Sequence, residues 1–80
     1  MSLADRVDEI PDGLPPSALY VLRVLVDADA MTSVQIERET LLPDRTVRYA
    51  LDQLRDADLV ESRPSTVDPR KQLHSATLGR

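Results

Sequence analysis

Near the middle of this 80-residue chain two helical patterns stand only two residues apart, and that spacing limits how the rest can fold. The first opens at Thr32-Ser33-Val34-Gln35. A threonine at the N-cap and a glutamine three residues on form a capping box, in which Thr32 accepts from the Gln35 amide and Gln35 reaches back. This predicts a short helix over 33–40 with Val34 and Ile36 turned inward. The second pattern runs over 42–59, LPDRTVRYALDQLRDADL, where Val47, Ala50, Leu51 and Leu54 fall at i, i+3, i+4 and i+7 on one helical stripe. Pro43 fits the first helical position, where its missing N–H costs nothing, so a helix is expected over 43–57. Only Leu41 and Leu42 lie between the two, and so short a joint turns the chain sharply.

On the far side of the second helix lie Arg45, Tyr49, Asp52 and Asp56, with Arg48 on one shoulder and Thr46 on the opposite flank. The N-terminal half of this face is basic and hydrogen-bonding, and the C-terminal half is acidic. Such polarity suits a helix entering a major groove N-terminus first, with its carboxylates kept clear of the phosphates. Taken alone, the same pattern also describes a solvated surface face. Arg48 has Asp44 and Asp52 at i, i+4 spacing, each pair worth only roughly a few tenths of a kcal/mol.

Residues 2–10 place Leu3, Val7 and Ile10 at i, i+4 and i+7, with Ser2 as a cap, and predict a short helix closed by the turn signal Pro11-Asp12-Gly13. An isolated helix this short is unstable in water, so its stripe either covers its own domain or pairs with a second subunit. Residues 14–29 form the first core helix, with Leu19, Leu22, Leu25 and Val26 as its buried side and Tyr20, Arg23 and Asp27 outside. Beyond the arginine-bearing helix, residues 59–63 read as a strand stopped by Pro64, and 72–77 can return as its partner. Three core helices followed by a hairpin are mainly α with a small β-hairpin, the winged helix-turn-helix order. An N-terminal helical extension over 1–13 then precedes a single domain over 14–80, with a wing over 64–72.

Charge is informative by kind as well as by sum. Ten Asp and four Glu face nine Arg and one Lys, giving a net charge of −4. Asp-rich, Lys-poor chains resemble proteins of salt-loving archaea, and a small acidic bacterial protein is the competing explanation. Net charge runs −4, −2 and +2 over residues 1–30, 31–58 and 59–80, so a polyanion would be met at the C-terminal end. No cysteine is present, no apolar run approaches the roughly 20 residues of a membrane span, and no signal peptide is visible. The chain reads as soluble and cytoplasmic, with no membrane contact.

At this point the residues resemble the MarR-like winged-helix transcription regulators, in particular small archaeal versions. Three pieces carry the resemblance: LPPSALYVLRVL, LLPDRTVRYALDQLRDADLVE and DPRKQLHS. It implies that Arg70 reaches a minor groove with Asp68 orienting it. Family members usually have a small residue and a glycine-centred turn where this chain has Glu37, Thr40 and Leu41. Larger relatives dimerise through helices on both sides of the domain, and here only the 2–10 segment, through Leu3, Val7 and Ile10, is expected to do that work.

The expectation is therefore a sequence-specific double-stranded DNA-binding transcription regulator acting as a homodimer. Arg45, Thr46, Arg48 and Tyr49 would face base edges and nearby phosphates. Ser33 and Gln35, with Thr32, would offer donors to the backbone at a helix N-terminus. Arg70 and Lys71 would engage the minor groove, with Arg63 behind them. Asp44, Asp52 and Asp56 would hold cations at the interface and soften the loss of affinity in salt. The alternative is a winged helix that binds protein without reading DNA, which the net charge favours and the arginines disfavour. Catalysis, a cofactor and a metal site are not expected. His74 is the only histidine, the two glycines form no phosphate-binding loop, and the aspartates lack metal-loop spacing. Tyr20 and Tyr49 alone make no stacking platform for RNA.

Overall fold

The computed structural model describes residues 13–77. The helix expected over 2–10, with Leu3, Val7 and Ile10, lies outside the described residues. Within them the order is α1 (Pro16–Asp27), α2 (Ser33–Thr40), α3 (Asp44–Asp56), β1 (Val60–Pro64) and β2 (Gln72–Ala76). Three helices and a two-stranded antiparallel hairpin make the winged-helix arrangement.

Helix α1 starts on the two prolines. Pro15 is the extended N-cap, its carbonyl accepting from the Ala18 and Leu19 amides, and Pro16 takes the first helical position. Its buried stripe is Ala18, Val21, Leu22 and Leu25. The expected side is therefore rotated: Leu19 is 39% exposed and Val26 only half-buried, while Tyr20, Arg23 and Asp27 are outside as read. Apolar residues occupy both candidate stripes, and packing against α3 selects the one carrying the small Ala18.

Helix α2 carries both bonds of its capping box. Gln35 N–H donates to Thr32 Oγ1 at 3.3 Å, and Thr32 N–H donates to Gln35 Oε1 at 2.9 Å. Ile36 is fully buried, but Val34 is 46% exposed, against expectation. Residues two apart on a helix point about 200° from each other, so only one of this pair can face the core.

Leu41 then adopts φ 61°, ψ 22°, the left-handed conformation that a glycine ordinarily supplies at a helix end. Thr40 supports the turn from within: its hydroxyl donates to the Ile36 carbonyl at 2.7 Å and accepts from the Leu42 amide at 3.3 Å. Pro43 is the N-cap of α3 and not its first helical residue. Its ψ of 154° is extended, and its carbonyl accepts from the Val47 amide at 3.0 Å.

Helix α3 buries Val47, Ala50, Leu51 and Leu54 as the spacing predicts. Its exit is a Schellman turn. Asp58 takes φ 59°, its amide donates to the Arg55 carbonyl, and the Leu59 amide donates to the Leu54 carbonyl at 2.9 Å. Leu59 thus completes the helix end, which is why β1 begins at Val60 and not at 59. The strand runs on through Pro64, tolerated as the last member of an edge strand.

The hairpin register pairs Val60 with Ala76, Ser62 with His74, and Pro64 with Gln72. On its other edge β2 is fixed by Met31, which exchanges two backbone hydrogen bonds with His74, at 3.0 and 2.8 Å. One apolar core joins α1, Ile36, the α3 stripe, Leu59, Val60 and Ala76. Because the hairpin's base belongs to that core, the wing projects from a fixed root beside α3. Among the described residues no helix is long and apolar enough to cross a membrane.

Candidate nucleic-acid interface

The start of α2, the outer side of α3 and the root of the wing enclose a cleft of about 380 Å³. Ser33, Arg48, Arg70 and Lys71 line it together with Thr32, Arg55 and His74. Four cationic side chains therefore meet the N-terminal end of α2, and Asp52 is the one carboxylate lining the same cleft. Backbone N–H groups at a helix start are unpaired within the helix and favour anions, so both features select negative charge.

The capping box leaves useful chemistry on this rim. It consumes the Gln35 oxygen and one lone pair of Thr32, so the Gln35 amide hydrogens and the Thr32 hydroxyl hydrogen remain donors. Gln35 borders an adjoining cleft of about 470 Å³ with Asp68 and Lys71. Arg38 lines it too, a cation the sequence reading passed over.

On α3 itself Arg45 is exposed, Thr46 is half-buried and Tyr49 is 64% exposed. These three do not line the cleft: Arg45 stands one turn before Arg48 on the same side of the helix, Tyr49 follows Arg48, and Thr46 lies on the opposite flank. Arg48 Nε lies 3.2 Å from Asp44 Oδ2, an exposed i, i+4 pair of little stabilising value. Asp52 pairs with Arg55. Two of the three carboxylates expected to hold cations thus already engage guanidinium groups. Arg63 is exposed on β1 and stands outside the cleft.

At the wing, Asp68 accepts from both the backbone N–H and Nε of Arg70, at 3.1 and 3.3 Å. Ser65 holds the loop beneath them, its hydroxyl oxygen accepting from the Val67 and Asp68 amides. Arg70 is thereby presented outward from a braced turn.

Sequence reasoning missed Arg55. Its Nη1 donates to Ser62 Oγ at 3.1 Å, and Ser62 Oγ lies 2.7 Å from His74 Nδ1. A signal existed, since Arg55 stands seven residues after Arg48 and shares its side of the helix. His74 is 5% exposed; burial pushes its imidazole below the ordinary value, and the neighbouring Arg55 guanidinium adds to this. A general base needs an accessible reacting group, and this histidine is instead enclosed by structural partners. Among the described residues no group of three or more His, Asp or Glu side chains is placed to hold a metal ion.

Comparison with known proteins places this geometry. A model of the MarR family matches residues 12–71. No curated protein matches the chain. Among solved structures it is similar to BpsR of Bordetella bronchiseptica, whose DNA binding is described as regulated by 6-hydroxynicotinic acid: 28% identity, TM-score 0.79, covering 95% of this chain and 55% of that one. It is also similar to a mutant MarR from E. coli complexed with operator DNA, at 24% identity and TM-score 0.76, covering 84% and 48%. YusO of Bacillus subtilis matches at 23% identity and TM-score 0.76, covering 94% and 51%. The chain thus spans about half the length of these structures.

Proposed function

This chain belongs to the MarR family, and on that premise we propose that it is a transcription regulator that reads double-stranded DNA, with α3 in the major groove and the wing at the minor groove. The observation that carries the reading is the convergence of Ser33, Arg48, Arg70 and Lys71 on one cleft, with Arg45 and Tyr49 exposed beside Arg48 on the same helix. Arg45 and Arg48 read base edges or flanking phosphates, Thr46 and Tyr49 flank them, and Ser33 and Gln35 hold the backbone. Arg70, braced by Asp68, enters the minor groove, with Lys71 and Arg63 on neighbouring phosphates. Approach of DNA exchanges Asp44 for a phosphate on Arg48, a local substitution that reduces the net gain from that contact.

The same reading takes the protein as a cytoplasmic, non-catalytic homodimer on a two-fold-related site, its two α3 helices about one DNA turn apart. The apolar repeat Leu3, Val7 and Ile10 supports pairing through the N-terminal segment. The Asp-rich, Lys-poor composition supports a salt-rich archaeal setting.

The test is selection of duplexes from a random-sequence pool by the native protein, repeated with Arg45 and Arg48 both changed to Ala. Enrichment of a motif with two-fold symmetry, lost in the double variant while its helix content is intact, is the expected result. Light scattering on the bound complex gives the number of copies. A second reading, docking on a protein partner, is favoured by the net charge of −4 and by Leu41, 87% exposed at the turn. Absence of any enriched duplex would overturn the DNA reading in its favour.

A further inference from the structure

One hydrogen-bonded chain crosses from the recognition helix to the wing. Arg55 on α3 pairs with Asp52 through Nη2 and donates through Nη1 to Ser62 Oγ on β1, which meets His74 Nδ1 on β2. Its direction follows from the chemistry of its members. A guanidinium only donates, so the Ser62 oxygen accepts from Arg55. The serine hydrogen is then available to His74 Nδ1, which can receive it only as the bare nitrogen of a neutral imidazole carrying its proton on Nε2.

We propose that Arg55, Ser62 and His74 are positioning residues: their chain holds β1 and the wing loop against α3, and its serine hydrogen has an acceptor at the far end only while the imidazole is neutral. β2 is already fixed from the other side by the two backbone bonds to Met31. Among the described residues β1 has no such second strand neighbour, and Ser62 gives it a polar tie to the helix.

Protonation of His74 reverses the last link. Nδ1–H must then donate, so the serine oxygen takes Arg55 and His74 on its two lone pairs and the serine hydrogen loses its acceptor. It also puts a second cation across that oxygen from Arg55. Arg48 and Arg55 on α3 and Arg70 and Lys71 on the wing line the cleft with His74, against Asp52 alone; the α2 start and Met31 bring no titratable side chain, and α1, which also packs on β2, carries Tyr20, Arg23 and Asp27 on its exposed side. Glu61 and Arg63 flank Ser62 on β1, and strand alternation sends them to the opposite face. Burial and Arg55 both oppose protonation, so release falls on the acid side of the ordinary histidine range.

The consequence for DNA depends on the reading above; the positioning of the wing does not. Amide exchange of the hairpin, residues 60–64 and 72–76, is measured from about pH 8 to about pH 5 and corrected for intrinsic chemistry. Native protein is expected to lose roughly tenfold in hairpin protection on acidification, the size of one partly buried hydrogen bond. Ser62→Ala is expected to show that loss at every pH. His74→Asn sets an amide oxygen where Nδ1 stands, keeps the acceptor and cannot be protonated, so its protection is expected to stay flat. Circular dichroism establishes that each variant keeps its helices. A flat native profile, or full protection in Ser62→Ala, would overturn the proposal.

In parallel, affinity for a mixed-sequence duplex is read by fluorescence anisotropy. An extra imidazolium charge alone would tighten binding as pH falls. Loss of wing position instead weakens it, in the native protein and not in His74→Asn. Tightening in the native protein would remove the wing's dependence on this chain. No binding at any pH, with the exchange profile as expected, would refute the DNA reading and leave the positioning role standing.

Discussion

Asp68 holds Arg70 at two points, accepting from its backbone N–H at 3.1 Å and from its Nε at 3.3 Å. The two side chains are unequally placed: that of Asp68 is 29% exposed and that of Arg70 is 91% exposed. A pair this open contributes little to folding. Its effect is directional, because capturing Nε leaves both terminal nitrogens of the guanidinium facing outward as donors.

Charge and direction are therefore separable in the wing. Arg70→Ala is expected to weaken binding to a mixed-sequence duplex and to lower the slope of log affinity against log salt by about one. Asp68→Ala keeps the cation and frees its side chain, so affinity is expected to fall severalfold with the slope retained. Anisotropy titrations across a salt series make the comparison. Equal loss of slope in both variants would mean that Asp68 does not act by orienting Arg70.

The turn between α2 and α3 carries a removable strain. Leu41 stands at φ 61° with 87% of its surface exposed, so it bears the left-handed penalty and buries little in return. That penalty is about 1–2 kcal/mol for a residue with a Cβ, and glycine recovers it less its own entropy. Leu41→Gly is expected to raise the free energy of unfolding by about 0.5–1 kcal/mol in urea denaturation. Asp58→Gly, at φ 59°, is expected to gain less, because aspartate tolerates this region better.

What could be read from the sequence is what lies in local periodicity. The α3 stripe, the Thr32–Gln35 box and the hairpin each sit within a few consecutive residues, and their signals are independent of the rest of the chain. The rotation of α1, the exposure of Val34 and the bridge from Met31 to His74 depend on what packs alongside, which periodicity does not contain. Leu59 was misplaced for a related reason. An apolar residue after a helix reads as strand, but here its amide closes the Schellman turn. For the candidate site, the cations of α3 and the wing were legible as charge. Their meeting with Ser33, and the tie through Arg55 to His74, required the fold.

The rotation of α1 can be checked directly. Leu22 is fully buried, so Leu22→Ala removes packed methyl groups and leaves a cavity, with an expected cost of about 2–5 kcal/mol. Leu19 keeps 39% of its surface in solvent, and Leu19→Ala is expected to cost about 1 kcal/mol or less. For a domain this small the first loss approaches the whole stability, so thermal melts should separate the two without extrapolation. Equal costs would restore the stripe read from spacing alone.

Acid stability reports on His74 without any DNA. Its folded pKa lies below its unfolded value because burial, then Arg55, disfavours the charged ring. A base shifted in that direction stabilises the fold fully above its unfolded pKa of about 6.5, and the contribution is lost as pH falls through the folded value. Contributions from other groups are common to native protein and variant, so the useful quantity is the difference between native and His74→Asn. Urea midpoints measured from about pH 8 to about pH 5 are expected to place the native protein relatively lower as pH falls, with the change beginning below about pH 6.5. A constant difference over that range would mean that the imidazole bears its proton in the folded protein as readily as in water. The Ser62 hydrogen would then have no need of a bare Nδ1, and the link from α3 to the wing would lose its directional basis.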